Sequence, residues 1–124
     1  MNDYFLEGGV ENPTIEFRTS DGYLMLKGRA IPENPLESFE PLLVVLNLYC
    51  ENPQNLTKVD FMLEYFNTSS SKYILEILKK LQSLHKKGKQ VEINWFYDED
   101  DEEIYEIGED YSAMVNIPFN LKSI

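Results

Sequence analysis

Hydrophobic and polar positions alternate along this chain with two periods, and each period marks out elements. From Thr14 to Arg18, Ile15 and Phe17 point one way and Glu16 and Arg18 the other, as in a half-buried strand. Ser20-Asp21-Gly22 supplies turn chemistry and Tyr23 to Lys27 resumes the alternation, so the chain is predicted to begin with a β-hairpin. Residues 1–12 show no period and carry Gly8-Gly9, which reads as a loose N-terminal arm. The period then changes. Asn34 as N-cap, Pro35 at the first helical position and Glu37 three residues on form a capping arrangement for a helix running to about Cys50. Pro41 is expected to loosen or kink its first turns, and Glu51-Asn52-Pro53 to stop it. Leu42, Val45, Leu46 and Tyr49 form one stripe, while Val44 and Leu48 lie on another. One sheet covers one stripe. The second is therefore read either as packing under the N-terminal arm or as a partner surface, a homodimer contact included.

Thr57 to Phe66 alternates Val59, Phe61, Leu63 and Tyr65 against Asp60, Met62, Glu64 and Phe66, with bulky residues on both faces as in a central parallel strand. It runs straight into Asn67-Thr68-Ser69-Ser70-Ser71, where a helix begins whose apolar stripe is Ile74, Ile77, Leu78, Leu81 and Leu84. Lys86, Lys87 and Lys89 around Gly88 suit its negative end, with Gly88 as the stop. Gln90 to Tyr97 is the next strand. Six acids, Asp98 to Glu103, lead into a short helix carrying Ile104, Ile107 and Tyr111, and Pro118 to Leu121 is expected to form an edge strand. The order β-β-α-β-α-β-α-β predicts an α/β domain: an N-terminal hairpin, then right-handed βαβ units in a mixed, mainly parallel sheet with helices packed on it.

Composition narrows the reading. At 124 residues the chain suits a single domain, 1–124, large enough to bury a core without metal or disulfide. The lone Cys50 excludes an intramolecular disulfide and fits a reducing compartment. No secretory signal opens the chain, and the longest apolar run, Leu42 to Leu46, is far too short for a bilayer, so a cytoplasmic protein is expected. A net charge of −11 argues against nucleic acid and anionic membranes as partners.

Candidate chemistry concentrates at one junction. His85 sits on a helix surface with no nucleophile motif beside it, and neither GxGxxG nor GxxxxGK[ST] occurs. The run Asp98 to Glu103 lacks the glycine and spaced ligands of a calcium loop and reads as a solvated helix start, so no metal and no cofactor is expected. The Asn67–Ser71 cluster has an ordinary reading as an N-cap. Four consecutive hydroxyls exceed what a cap needs, however. At the carboxyl end of a strand and the positive end of a helix, a phosphate on Thr68 or Ser69 would find first-turn N–H donors, with Lys72 in the same turn.

The segment Tyr65-Phe66-Asn67-Thr68-Ser69-Ser70-Ser71-Lys72 resembles the signature of the SiaC family of bacterial regulatory phosphoproteins. So do Pro32-Glu33-Asn34, Asn94-Trp95-Phe96-Tyr97-Asp98 with the acids after it, Ile107-Gly108-Glu109 and Pro118-Phe119, matches spread over residues 13 to 121. The resemblance implies a STAS-like fold, related to anti-sigma-factor antagonists, and no enzymatic activity. It implies phosphorylation of Thr68 by a serine/threonine kinase (SiaB-like) and its reversal by a PP2C-type phosphatase (SiaA-like). It further implies that the unphosphorylated form engages an effector such as a diguanylate cyclase. Asn67, Ser69, Ser70, Ser71 and Lys72 then surround the phosphate, with Ser69 to Ser71 as caps, and Pro32, Glu33 and Asn34 belong to a partner surface. The alternative is a passive module holding a small anion in the Asn67–Ser71 loop.

Overall fold

The computed structural model describes residues 3–124. Six strands, β1 (Tyr4–Leu6), β2 (Thr14–Arg18), β3 (Tyr23–Ala30), β4 (Leu56–Phe66), β5 (Gln90–Tyr97) and β6 (Phe119–Ser123), form one sheet in sequential order. Pairing is antiparallel across β1-β2-β3 and parallel across β3-β4-β5-β6. The parallel half is linked through α1 (Pro35–Glu51), α2 (Thr68–Lys86) and α3 (Glu102–Met114). The hairpin, the βαβ succession and the final strand follow the pattern read from the sequence.

Because each crossover steps the same way across the sheet, right-handed connections carry all three helices to one face. That face holds Ile15, Phe17, Leu24, Leu26, Val59, Phe61, Val91, Ile93 and Trp95, all buried. Among the described residues no helix covers the opposite face, so bulky residues on both sides of β4 do not mean two covered faces. One row across it reads Phe5, Glu16, Met25, Asp60, Asn94 and Asn120 by strand register. Asp60, Asn94 and Asn120 bond one another and the neighbouring Tyr23 and Glu92. The Tyr23 hydroxyl donates to Asp60 Oδ2 (2.8 Å), Asn94 Nδ2 donates to Asp60 Oδ1 (3.0 Å) and Glu92 Oε2 (3.0 Å), and Asn120 Nδ2 donates to Asn94 Oδ1 (3.2 Å). Burial and the bond to Asp60 push the Tyr23 hydroxyl up to about 12.

Three local expectations are corrected. The arm is not loose throughout: Tyr4–Leu6 pairs with β2, and Asp3 accepts from the Thr19 amide (2.8 Å) and hydroxyl (2.9 Å). Met1 and Asn2 lie outside the described residues. Asn34 occupies the N-cap of α1 but its side chain makes no capping bond; the Glu37 amide donates to the Asn34 carbonyl instead (3.1 Å), and the helix carries on through Pro41. The alternation in β4 breaks near its end. Gly28 pairs with Leu63 but Arg29 pairs with Tyr65, so Glu64 is an extra residue in a bulge. An inserted residue reverses the faces of everything after it. Phe66 thereby joins the core against Trp95, while Tyr65 turns out to 49% exposure. As for α1, Val44 and Leu48 are half exposed, and the arm reaches that helix elsewhere, through the Tyr4 hydroxyl donating to the Ser38 carbonyl (3.2 Å).

α2 ends as anticipated. Gly88 has φ +92, its amide donates to the His85 carbonyl (3.0 Å), and the Lys89 amide donates to the Leu84 carbonyl (3.2 Å), a Schellman close. α3 is fastened by Trp95, whose Nε1–H donates to the Ile104 carbonyl (3.0 Å). A β-carbon on Gly108 would lie 2.5 Å from Trp95 Cδ1. Glycine here costs about 0.5–1 kcal/mol of helix propensity relative to alanine, and the close approach of helix to indole is what it permits.

Two outcomes test these contacts. Gly108→Ala gains helix propensity yet is expected to destabilise the fold by about 1–3 kcal/mol through overpacking, read as a lowered Tm. Bonds from Thr19 hold the Asp3 carboxyl below its ordinary value of 3.8. Stability from a depressed carboxylate is present above the unfolded value and lost as pH falls through the folded one. The Thr19 amide resonance should therefore titrate with a midpoint under 3.8, and a midpoint at or above it refutes the contact.

A candidate switch site where the central strand meets α2

β4 delivers its last residues to the carboxyl end of the sheet, and the bulge at Glu64 sets the phase in which they arrive. Phe66 is drawn inward, the Asn67 amide donates to the Ala30 carbonyl of β3 (3.3 Å), and α2 starts at Thr68. The cap is Asn67. Its side chain accepts from the Ser70 amide (2.9 Å) and its carbonyl from the Ser71 amide (3.0 Å). Capping by Ser69 to Ser71 is thus corrected, since Asn67, two residues before Ser69, already fills that role.

The hydroxyls consequently divide. Ser70 is fully buried and its Oγ has no hydrogen-bond partner. Ser71 Oγ donates back to the Thr68 carbonyl (2.6 Å). Thr68 and Ser69 are exposed. They occupy the first two helical positions, whose amides have no partner within the helix. Lys72 is also exposed and follows Thr68 by four residues, on the same side of α2.

Thr68 opens into a cleft of about 410 Å³ lined on one side by Tyr65, Phe66, Asn67 and Ser71, and on the other by Glu103, Ile107 and Tyr111 of α3. The Tyr111 hydroxyl donates to the Ser71 carbonyl (3.1 Å), strapping α3 to the first turn of α2, and burial pushes that hydroxyl up to about 12. No lining residue is cationic, and Lys72 lies in an adjoining groove. Sequence reading did not place Glu103, Ile107 or Tyr111 beside Thr68, because the Tyr111–Ser71 contact spans 40 residues and no local pattern encodes it. The only trace was Ile107 and Tyr111 at i,i+4 on one helix.

Pro32, Glu33 and Asn34 lie on the neighbouring β3–α1 loop, at the same end of the sheet, but they line a separate cleft of about 500 Å³ with Asn12, Glu37 and Ser38. Pro32 is buried, whereas Glu33 and Asn34 are exposed. The two clefts share no lining residue. Asp98 to Glu103 forms a turn and a cap: the Asp100 amide donates to Asp98 Oδ1 (3.0 Å) and the Ile104 amide to Asp101 Oδ1 (3.0 Å).

Residues 6–124 match the model of the SiaC family regulatory phosphoproteins. The chain belongs to the SiaC family. It is 29% identical over 123 residues to an uncharacterized protein of Pseudomonas aeruginosa strain UCBPP-PA14, covering 99% of this chain and 98% of that one. Among solved structures it is similar to apo-SiaC from P. aeruginosa, with TM-score 0.91 and 29% identity over 98% of this chain and 99% of that one. A further similar chain comes from the crystal structure of the diguanylate cyclase SiaD of P. aeruginosa in complex with its activator SiaC. There the TM-score is 0.94 at 29% identity, over 98% of this chain and 100% of that one. The expected α/β architecture is therefore that of SiaC structures. No described helix is long and apolar enough to cross a membrane.

The division of hydroxyls sets two opposite expectations for stability. Asn67→Ala should cost about 1 kcal/mol by uncapping α2. Ser70→Ala removes a buried hydroxyl that has no partner, so it should leave Tm unchanged or raised. A Tm loss at Ser70→Ala equal to that at Asn67→Ala would contradict the assignment of the cap.

Proposed function

We propose that this SiaC-family chain is a non-enzymatic partner-switching regulator in bacterial signalling, controlled by reversible phosphorylation of Thr68. The observation that carries the reading is an exposed hydroxyl at the first position of α2, facing Glu103, Ile107 and Tyr111 of α3 across a cleft. A kinase needs an accessible hydroxyl, and Thr68 is accessible where Ser70 is not. The SiaB-like kinase adds the phosphate and the SiaA-like PP2C-type phosphatase removes it. In the unphosphorylated state the chain binds and regulates an effector, for which a diguanylate cyclase is the supported class, since P. aeruginosa SiaC is the activator of one. These exchanges belong in the cytoplasm.

Electrostatics explain how one phosphate changes binding. It brings about −1.5 to −2 charge to a cleft walled by Glu103. First-turn amides and Lys72 offer partial compensation worth about 0.3–1 kcal/mol each at an exposed site. The same wall disfavours the alternative of a passive anion trap. A free anion can stay in solution, whereas a covalently attached one cannot leave, so the cleft or its occupant must respond.

Mass-spectrometric phosphosite mapping on protein from the native host is expected to find phosphate on Thr68. Thr68→Ala should retain the effector in pull-downs and Thr68→Asp should lose it. Equal capture by both variants and wild type, with Thr68 unmodified, would overturn the reading. Thermal-shift screening against nucleotides and phosphorylated metabolites should be flat, and a strong shift would favour the anion-binding alternative.

A further inference from the structure

From the bulge that ends the central strand, we infer that Tyr65 and Arg29 are the docking pair by which the kinase that modifies Thr68 holds this chain. The inference rests on the phosphorylation reading above and assigns it the residues that recruit the enzyme.

An unbroken register would set Arg29 opposite Glu64 and Ala30 opposite Tyr65. The bulge instead sets Arg29 opposite Tyr65 and Ala30 opposite Phe66. Ala30 is buried, so the shift delivers Phe66 to the core side and takes Tyr65 off it. Paired residues of neighbouring strands share a side of the sheet, which puts Tyr65 next to Arg29, and both are exposed. A single exposed aromatic is ordinary. What singles out this one is its place: Tyr65 lines the Thr68 cleft, three residues before Thr68 itself.

Distance selects the occupant. At about 3.8 Å per residue, the Cα atoms of Tyr65 and Thr68 are at most about 11 Å apart. Arg29 lies one strand spacing further, about 4.8 Å. An interface of ordinary size covers about 800 Å² per partner, a patch of about 16 Å radius. A kinase centred on the Thr68 hydroxyl therefore covers both residues, a constraint that holds for no effector. In the transfer the Thr68 Oγ1–phosphorus bond forms and the bond from the γ-phosphorus of a nucleoside triphosphate to its bridging oxygen breaks. The hydroxyl proton passes to a base on the kinase, and a nucleoside diphosphate leaves. Chemistry then describes the surface that fits. Among the described residues the ion pairs join Arg18 to Glu16 and Asp21, so the Arg29 fork is left to meet a carboxylate of the kinase. The Tyr65 ring fills an apolar pocket beside that carboxylate. Tyr and Arg are among the residue types that most often anchor interfaces.

The test is steady-state phosphorylation of the full chain by the SiaB-like kinase of its own host, with the chain as varied substrate. Tyr65→Ala and Arg29→Glu should each raise KM about tenfold or more and leave kcat within about twofold. Tyr65→Phe keeps the ring and should stay within about threefold. Both positions are exposed, so Tm should hold. Phe5→Ala is the control: Phe5 is 63% exposed, and by register and strand spacing it lies about 20 Å from Tyr65, outside such a patch. Its KM should match that of the wild type. An unchanged KM at Tyr65→Ala would overturn the docking pair while leaving phosphorylation of Thr68 standing. A fall in kcat at constant KM would overturn it too, by placing Tyr65 in the transfer step. Lost effector capture at Tyr65→Ala with kinase KM intact would make the occupant the effector and overturn it likewise. A kinase that leaves wild-type Thr68 unmodified would overturn the phosphorylation reading and this inference with it.

Discussion

Trp95 is the contact on which the arrangement at this end of the molecule depends. Its ring meets Phe61 and Phe66 of β4, Phe119 of β6 and Tyr111 of α3, with centroids 5.4 to 6.2 Å apart, and its N–H is consumed by the Ile104 carbonyl. An indole buries a large apolar area only if its polar edge finds a partner. Here that partner is the backbone of α3, so one side chain joins the sheet core to the helix forming the far wall of the Thr68 cleft. Gly108 allows the approach, and the Glu64 bulge supplies Phe66. The geometry around Thr68 is thus set by packing beneath it.

The winding of the chain accounts for the unequal faces. Steps in a single direction never reverse the strand order, so the sheet has no topological switch point of the kind that creates a ligand crevice in doubly wound folds. Its helices gather on one side and leave a polar row on the other, with Asp60 and Asn94 buried there and hydrogen-bonded to Tyr23, Glu92 and Asn120. A buried carboxylate without such partners would be costly; with them the row fixes strand register on the uncovered face.

The regulation proposed at Thr68 draws on one physical feature, the acidic character of α3 across the cleft from the start of α2. The Tyr111–Ser71 bond ties the C-terminal half of α3 to the first turn of α2, so a charge added at that turn acts beside the acidic helix.

Element order, the hairpin, the capped and stopped α2 and the exposed candidate Thr68 were legible in the sequence, because each follows from a local period, a turn residue or a short motif. Family resemblance singled out Thr68 from its neighbours. The rest depended on contacts between distant residues. A bulge cannot be seen in β4 alone, since it exists only relative to the register of β3; that is why Tyr65 and Phe66 exchange faces against the simple alternation. Asn67 outcompetes the serines as cap because its position at the end of β4 is fixed by a bond to Ala30, and the arm becomes a strand because β2 offers an unpaired edge. The wall of Glu103, Ile107 and Tyr111 opposite Thr68 was decided by tertiary structure alone, through the seating of Gly108 on Trp95, a contact that brings residues 40 positions away to the first turn of α2.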